Sequence, residues 1–109
     1  MKISVKSVHF HMDAKLVAMI DKKLSRLNKF FDHSIEAEVI LKLQENGSKV
    51  QDKITEIHLL IPGGTITDKR THKTFESALN TSVDSLKRQL VRRKEKISNH
   101  KALGLKSGE

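Results

Sequence analysis

Apolar and polar residues alternate along the first ten positions, with Ile3 and Val5 in one phase and Val8 and Phe10 in the other. A period of two predicts a strand, and the phase change predicts a kink or bulge near Ser7. Asp13 then offers a carboxylate suited to capping a helix. Leu16, Val17, Ile20, Leu24, Leu27 and Phe31 recur at steps of three and four, which predicts a helix over residues 14–31. Ile35, Ala37, Val39, Leu41 and Leu43 return to a strict period of two, the pattern of a half-buried strand.

"QENGS" supplies turn chemistry, with Asn46-Gly47 as the expected hairpin tip. In the arm that follows, over residues 49–61, Val50 and Ile54 share one phase and Ile57, Leu59 and Ile61 the other. That mismatch predicts a bulge near Thr55. "PGGT" predicts a second tight turn into a short strand over residues 65–70. Thr74 is placed to cap a last helix whose apolar stripe is Phe75, Leu79, Val83, Leu86, Leu90 and Ile97. The order β-α-β-β-β-α predicts an α/β protein of the two-layer α+β kind, a four-stranded sheet with both helices packed on one face. If strands one and two are parallel neighbours, the helix between them makes a right-handed crossover.

Composition narrows the function. The 109 residues amount to one small domain, expected over residues 1–98, followed by a short, basic, flexible tail over 99–109. There is no cysteine to build a disulfide or a thiolate metal site, and the N-terminus lacks the apolar core of a signal peptide. These features point to a soluble, cytoplasmic protein. The net charge of +8 favours an acidic partner.

The charge is patterned. Lys15, Lys22, Arg26 and Lys29 fall together opposite the first helix's apolar stripe, with Asp21 toward a flank, and lack the interleaved acids of a merely solvated face. In "LKRQLVRRKEKISNHK", residues 86–101, the only acid is Glu95. Arg88, Arg92 and Lys96 step outward there and Lys87 and Lys94 take a flank. Arg93 falls on the stripe side, as expected if the helix overruns the sheet and is exposed all round. Side by side, two such strips form a basic plate for phosphates, with salt-sensitive binding. A membrane surface would also want exposed apolar residues, and only Met19 and Phe30 lie near the outward edges. With no Trp or Tyr and four Phe, the chain is poorly supplied for base stacking, so backbone and shape of folded RNA are the expected target.

Other candidate chemistry is thin. His9 and His11, two apart, lack a third metal ligand; His33, His58, His72 and His100 are scattered; "PGG" lacks the Lys-Ser/Thr of a phosphate loop; and Glu36 and Glu38 are solvent-facing strand residues. No catalytic residue, metal site, cofactor or small-molecule substrate is expected.

"DKKLSRLNKFFD", "IEAEVILKL", "EIHLLIPGG" and "SLKRQLVRRKEK", in that order, resemble the ribosome hibernation promoting factor family, which includes the ribosome-associated translation inhibitors. The likeness spans residues 2–96. It implies a β-α-β-β-β-α domain that binds the small ribosomal subunit and its ribosomal RNA in the channel for messenger and transfer RNA. Steric occlusion of the decoding region would then inhibit translation in stressed or stationary cells, with other hibernation factors as further partners and no membrane. Carried onto this chain, the family's RNA-binding positions are Lys22, Lys23, Arg26 and Lys29, then Lys87, Arg88, Arg92, Lys94 and Lys96, and Arg93 completes the expected RNA-binding set. The family often opens its last helix with a stretch like Asp-Met-Tyr-Ala-Ala-Ile-Asp. Here residues 74–80 read TFESALN, which replaces the Tyr and both Asp. Long members carry a second, dimerising domain, and a chain stopping at Glu109 resembles a short form. The alternative reading is a protein-interaction regulator of a transcription (sigma) factor, and an enzyme acting on RNA ranks last.

Overall fold

A computed structural model describes residues 1–31 and 34–107, with the side chains of the last helix described through residue 95. The elements are β1 (Lys2–Val8), α1 (Ala14–Ser25) continued by a 3-10 helix (Arg26–Phe30), β2 (Glu36–Gln44), β3 (Asp52–Ile61), β4 (Gly64–His72) and α2 (Phe75–Ser107). They form one sheet in the order β1-β2-β3-β4, with β1 and β2 parallel and the other neighbours antiparallel. Ala37, Val39, Leu41, Ile57, Leu59, Ile61 and Ile66 on one face of the sheet share a core with Ile20, Leu24 and Leu27 and with Leu79, Leu86 and Leu90. Both helices therefore lie on the same face, and among the described residues no second layer covers the sheet's other face.

The caps match the sequence. The Asp13 carboxylate accepts from the Leu16 N–H at 2.8 Å, and the Thr74 hydroxyl accepts from the Ser77 N–H at 3.1 Å. Each satisfies a backbone donor that the first helical turn leaves without a partner. Pro62 and Gly63 join β3 to β4, with Gly63 at φ +89°, a conformation open to glycine because it has no Cβ.

Several expectations are corrected. The break near Ser7 does not occur: β1 keeps its register with β2 through Val8, and the reversal comes at His9, whose φ is +63°. His9 and His11 thus sit in the turn after β1 and not on a strand. No bulge interrupts β3, which pairs with β2 residue for residue from Asp52 to Leu60. Thr55 instead takes a core position, and its hydroxyl lies 3.2 Å from the Ser82 hydroxyl on α2. A buried polar pair satisfies itself inside the core, and this lets a threonine occupy an apolar phase. The Asn46-Gly47 tip is part of a longer loop over residues 45–51. There the Asn46 side-chain oxygen accepts from the Ser48 N–H at 2.9 Å, and Val50 is 51% exposed.

The first helix is α-helical only to Ser25 and tightens to 3-10 over Arg26–Phe30, as helix ends often do. Val17 lies off the core at 40% exposure, and Met19, expected outward, packs against it. The last helix runs through Ser107, across the segment 99–107 read from sequence as a tail. At roughly 1.5 Å per residue it spans about 50 Å, close to the molecule's longest dimension of 59 Å. The side chains of Ile97 and His100 are not described, and His33 lies outside the described residues.

Candidate nucleic-acid interface

The two helices face outward as one layer because they run parallel and in step. The Lys23 ammonium donates to the Asn80 side-chain oxygen at 2.6 Å, and the Lys87 ammonium sits 4.7 Å from the centre of the Phe30 ring. Both contacts join residues 57 positions apart in the chain. Residues 23–30 and 80–87 therefore advance side by side, with no slippage between the two contacts. Asn80 is one of the departures in TFESALN, and its neutral amide gives Lys23 an acceptor between the helices.

Of the ten predicted positions, Lys22, Arg26, Lys29, Lys87, Arg88, Arg92 and Lys94 are exposed on this layer. Lys23 and Arg93 are half-buried, and the Lys96 side chain lies outside the described residues. Arg93 is not exposed all round as expected. Its guanidinium crosses the β3–β4 turn so closely that a Cβ on Gly64 would meet Nη1 at 3.4 Å. Since β4 begins at Gly64, α2 passes the end of the sheet at this point.

Lys15, placed by its spacing on the same basic strip, is exposed here, whereas the acid beside Arg88 was not anticipated from the sequence. Asp84 stands one turn before Arg88, with Oδ2 at 3.9 Å from Nη1, and both are well exposed. Such a pair is worth only a few tenths of a kcal/mol. The i,i+4 spacing was legible in the sequence. Lys15, Lys22, Arg26, Lys29 and Arg92 form no ion pair with any described residue. The layer thus keeps most of its positive charge available to a ligand.

The opposite face of the sheet is arranged differently. Lys2 stands beside Glu36, Glu38 beside His58, and Glu56 beside Lys69 across neighbouring strands. His58 bridges Glu56 at 2.7 Å through Nε2 and the Thr67 hydroxyl at 3.0 Å through Nδ1, and Lys42 lies 3.9 Å from Glu56. The hydrogen bond from His58, helped by the nearby charges of His58 and Lys42, holds the Glu56 carboxyl below its ordinary pKa. At the far end of β3, the hydrogen bond from Lys73, joined by one from Asn46, does the same to Asp52. Charges on this side are matched within the protein. Among the described residues, no cluster of three His, Asp or Glu could hold a metal ion, and no helix is long and apolar enough to cross a membrane.

Fold and charge together define a two-layer α+β domain that presents a basic helical layer on one side and a charge-matched sheet on the other. The chain belongs to the family described as Sigma 54 modulation protein / S30EA ribosomal protein, whose pattern it matches over residues 3–98. It is 31% identical over 96 residues to the ribosome hibernation promoting factor of Pseudomonas putida, a match covering 88% of this chain and 89% of that one. Its fold is similar to the N-terminal domain of Thermus thermophilus Protein Y, at TM-score 0.75 and 26% identity, over 84% of this chain and 98% of that domain. A ribosomal subunit interface protein from Coxiella burnetii, at 20% identity, shares the fold with TM-score 0.72 over 87% of this chain and 99% of that one.

Proposed function

We propose that this protein is a ribosome hibernation factor that binds ribosomal RNA of the small subunit with its helical layer. It would fill the channel for messenger and transfer RNA and stop translation by occupying the decoding region, without turnover. The observation that carries this reading is the pair of in-step helices on which Lys15, Lys22, Arg26, Lys29 and Arg92 form no ion pair with any described residue. Such a layer recognises closely spaced phosphates by displacing their counterions, which needs no cleft, metal or catalytic group. The family membership and the name of the Pseudomonas putida relative support the ribosome as the source of those phosphates.

Co-sedimentation with ribosomes over a salt series tests the proposal. Wild-type protein is expected to pellet with small subunits at low salt and to dissociate steeply as salt rises. Reversing Arg26, Lys29, Arg88 and Arg92 to Glu is expected to abolish pelleting while leaving the circular dichroism spectrum native, since all four are exposed. Inhibition of translation is expected to be stoichiometric with ribosomes and relieved by excess messenger and transfer RNA. Retained binding by the folded quadruple variant, or inactivation of ribosomes in large excess over the protein, contradicts the proposal.

A further inference from the structure

Phe30 is out of place for a core residue. Of the four phenylalanines, Phe10 and Phe75 stack on each other at 5.4 Å and pack against the core, and Phe31 is buried within it. Phe30 is only half-buried and is not among the residues packed on that core. A single apolar side chain at a surface is ordinary; the setting of this one is not. It directly follows the exposed Lys29, and the Lys87 ammonium rests over its ring. Beyond Lys87, Arg88, Val91 and Arg92 line a shallow depression with Glu95. An aromatic face thus lies within the most cationic part of the helical layer.

We infer that Phe30 and Lys87 form a stacking site for one unpaired nucleobase of the bound RNA. The site rests on the reading of the helical layer as an RNA-facing surface, and it adds a base contact to a surface otherwise built for phosphates. A base offers its π-face to the ring whatever its identity, so the contact is tolerant of sequence. Lys87 has a long flexible stem and a partner made only of a ring quadrupole, an attraction that is weak at exposed sites. Its ammonium is therefore able to move from the ring to the phosphate of the stacked nucleotide. An unpaired or splayed base, as found in loops and bulges of folded RNA, is the ligand this combination fits.

The chain has no Trp and no Tyr, so Phe30→Trp installs a sole indole at the site. The test measures binding of wild type, Phe30→Leu and Phe30→Trp to ribosomes, to a single-stranded adenosine oligonucleotide and to an abasic oligonucleotide of the same length. Wild type is expected to prefer the base-bearing strand, and Phe30→Leu to lose that preference. The loss expected for Phe30→Leu on the adenosine strand is roughly 5- to 150-fold, the factor equivalent to about 1–3 kcal/mol of stacking. Its salt slope should be unchanged, because no phosphate contact is removed. Phe30→Trp should keep the preference, with its emission quenched by the adenosine strand and not by the abasic one.

Equal affinity of wild type for the two strands, or an emission unmoved in the saturated adenosine complex, overturns the stacking site and leaves the ribosome proposal standing. Base preference without ribosome binding does the reverse. A blue shift with phosphatidylserine vesicles together with no quenching by RNA assigns the ring to a membrane surface and also overturns the inference.

Discussion

Leu59 and Leu60 are neighbours on β3 and face opposite worlds. Leu59 is fully buried against the helices, whereas Leu60 is 36% exposed on the open side of the sheet. The two sides differ in charge as much as in burial. On the open side, opposite charges face each other across strands, an arrangement that stabilises the sheet locally and leaves little field beyond it. On the helical side Lys15, Lys22, Arg26, Lys29 and Arg92 have no acidic partner among the described residues, so their mutual repulsion is a small standing cost to the fold. A protein that needed only solubility would have no use for that asymmetry. The proposed binding of a polyanion by the helical side rests on that asymmetry, which gives each side a distinct expected response to mutation.

The largest contrast is in packing. Leu59→Ala should cost about 2–5 kcal/mol, since it empties a filled core position, while Leu60→Ala should cost under about 1 kcal/mol. Urea denaturation of the two variants measures the difference; comparable losses would show that the open side is covered in solution. The contrast in charge comes next. Arg26, Lys29 and Arg92 reversed to Glu should weaken ribosome binding by roughly a hundredfold or more. Lys2, Lys6 and Lys69 reversed to Glu carry the same change in net charge and should cost no more than a few-fold. Equal effects in a binding titration would reduce the helical layer to one contributor to overall charge.

The core's polar pair gives a subtler distinction. Ser82→Ala strands the buried Thr55 hydroxyl and should destabilise by about 1–3 kcal/mol, whereas Thr55→Val combined with Ser82→Ala should recover much of that loss. Thermal unfolding of the three variants reads it; a double variant as unstable as the sum of both singles would contradict the account.

The smallest effect belongs to the open side. Because the folded-state pKa of Glu56 is depressed, its contribution is present above the unfolded value of 4.5 and is lost as pH falls through the lower folded value. The carboxylate is partly exposed, so the contribution should be well under about 1 kcal/mol. Glu56→Gln should therefore be slightly less stable than wild type at pH 6, and the difference should shrink as pH falls below 4.5. A difference that persists unchanged at low pH would assign the loss to packing instead.

The sequence by itself determined the elements and the sidedness. Period-two and period-3.6 patterns, the caps at Asp13 and Thr74 and the Pro62-Gly63 turn are all local, so each could be found without knowing what it packs on. The cations of the helical layer were legible for the same reason: facing outward is the complement of an apolar stripe on the same helix. Tertiary structure decided whatever depended on a partner distant in the chain. Thr55 enters the core because Ser82 meets it from α2, a match no window of sequence around β3 contains. The chain reverses at His9, since β1 keeps its pairing with β2 through Val8, past the phase change. Lys23 and Lys87 hold the helices in step through Asn80 and Phe30, contacts that exist only once the two helices lie side by side on the same sheet.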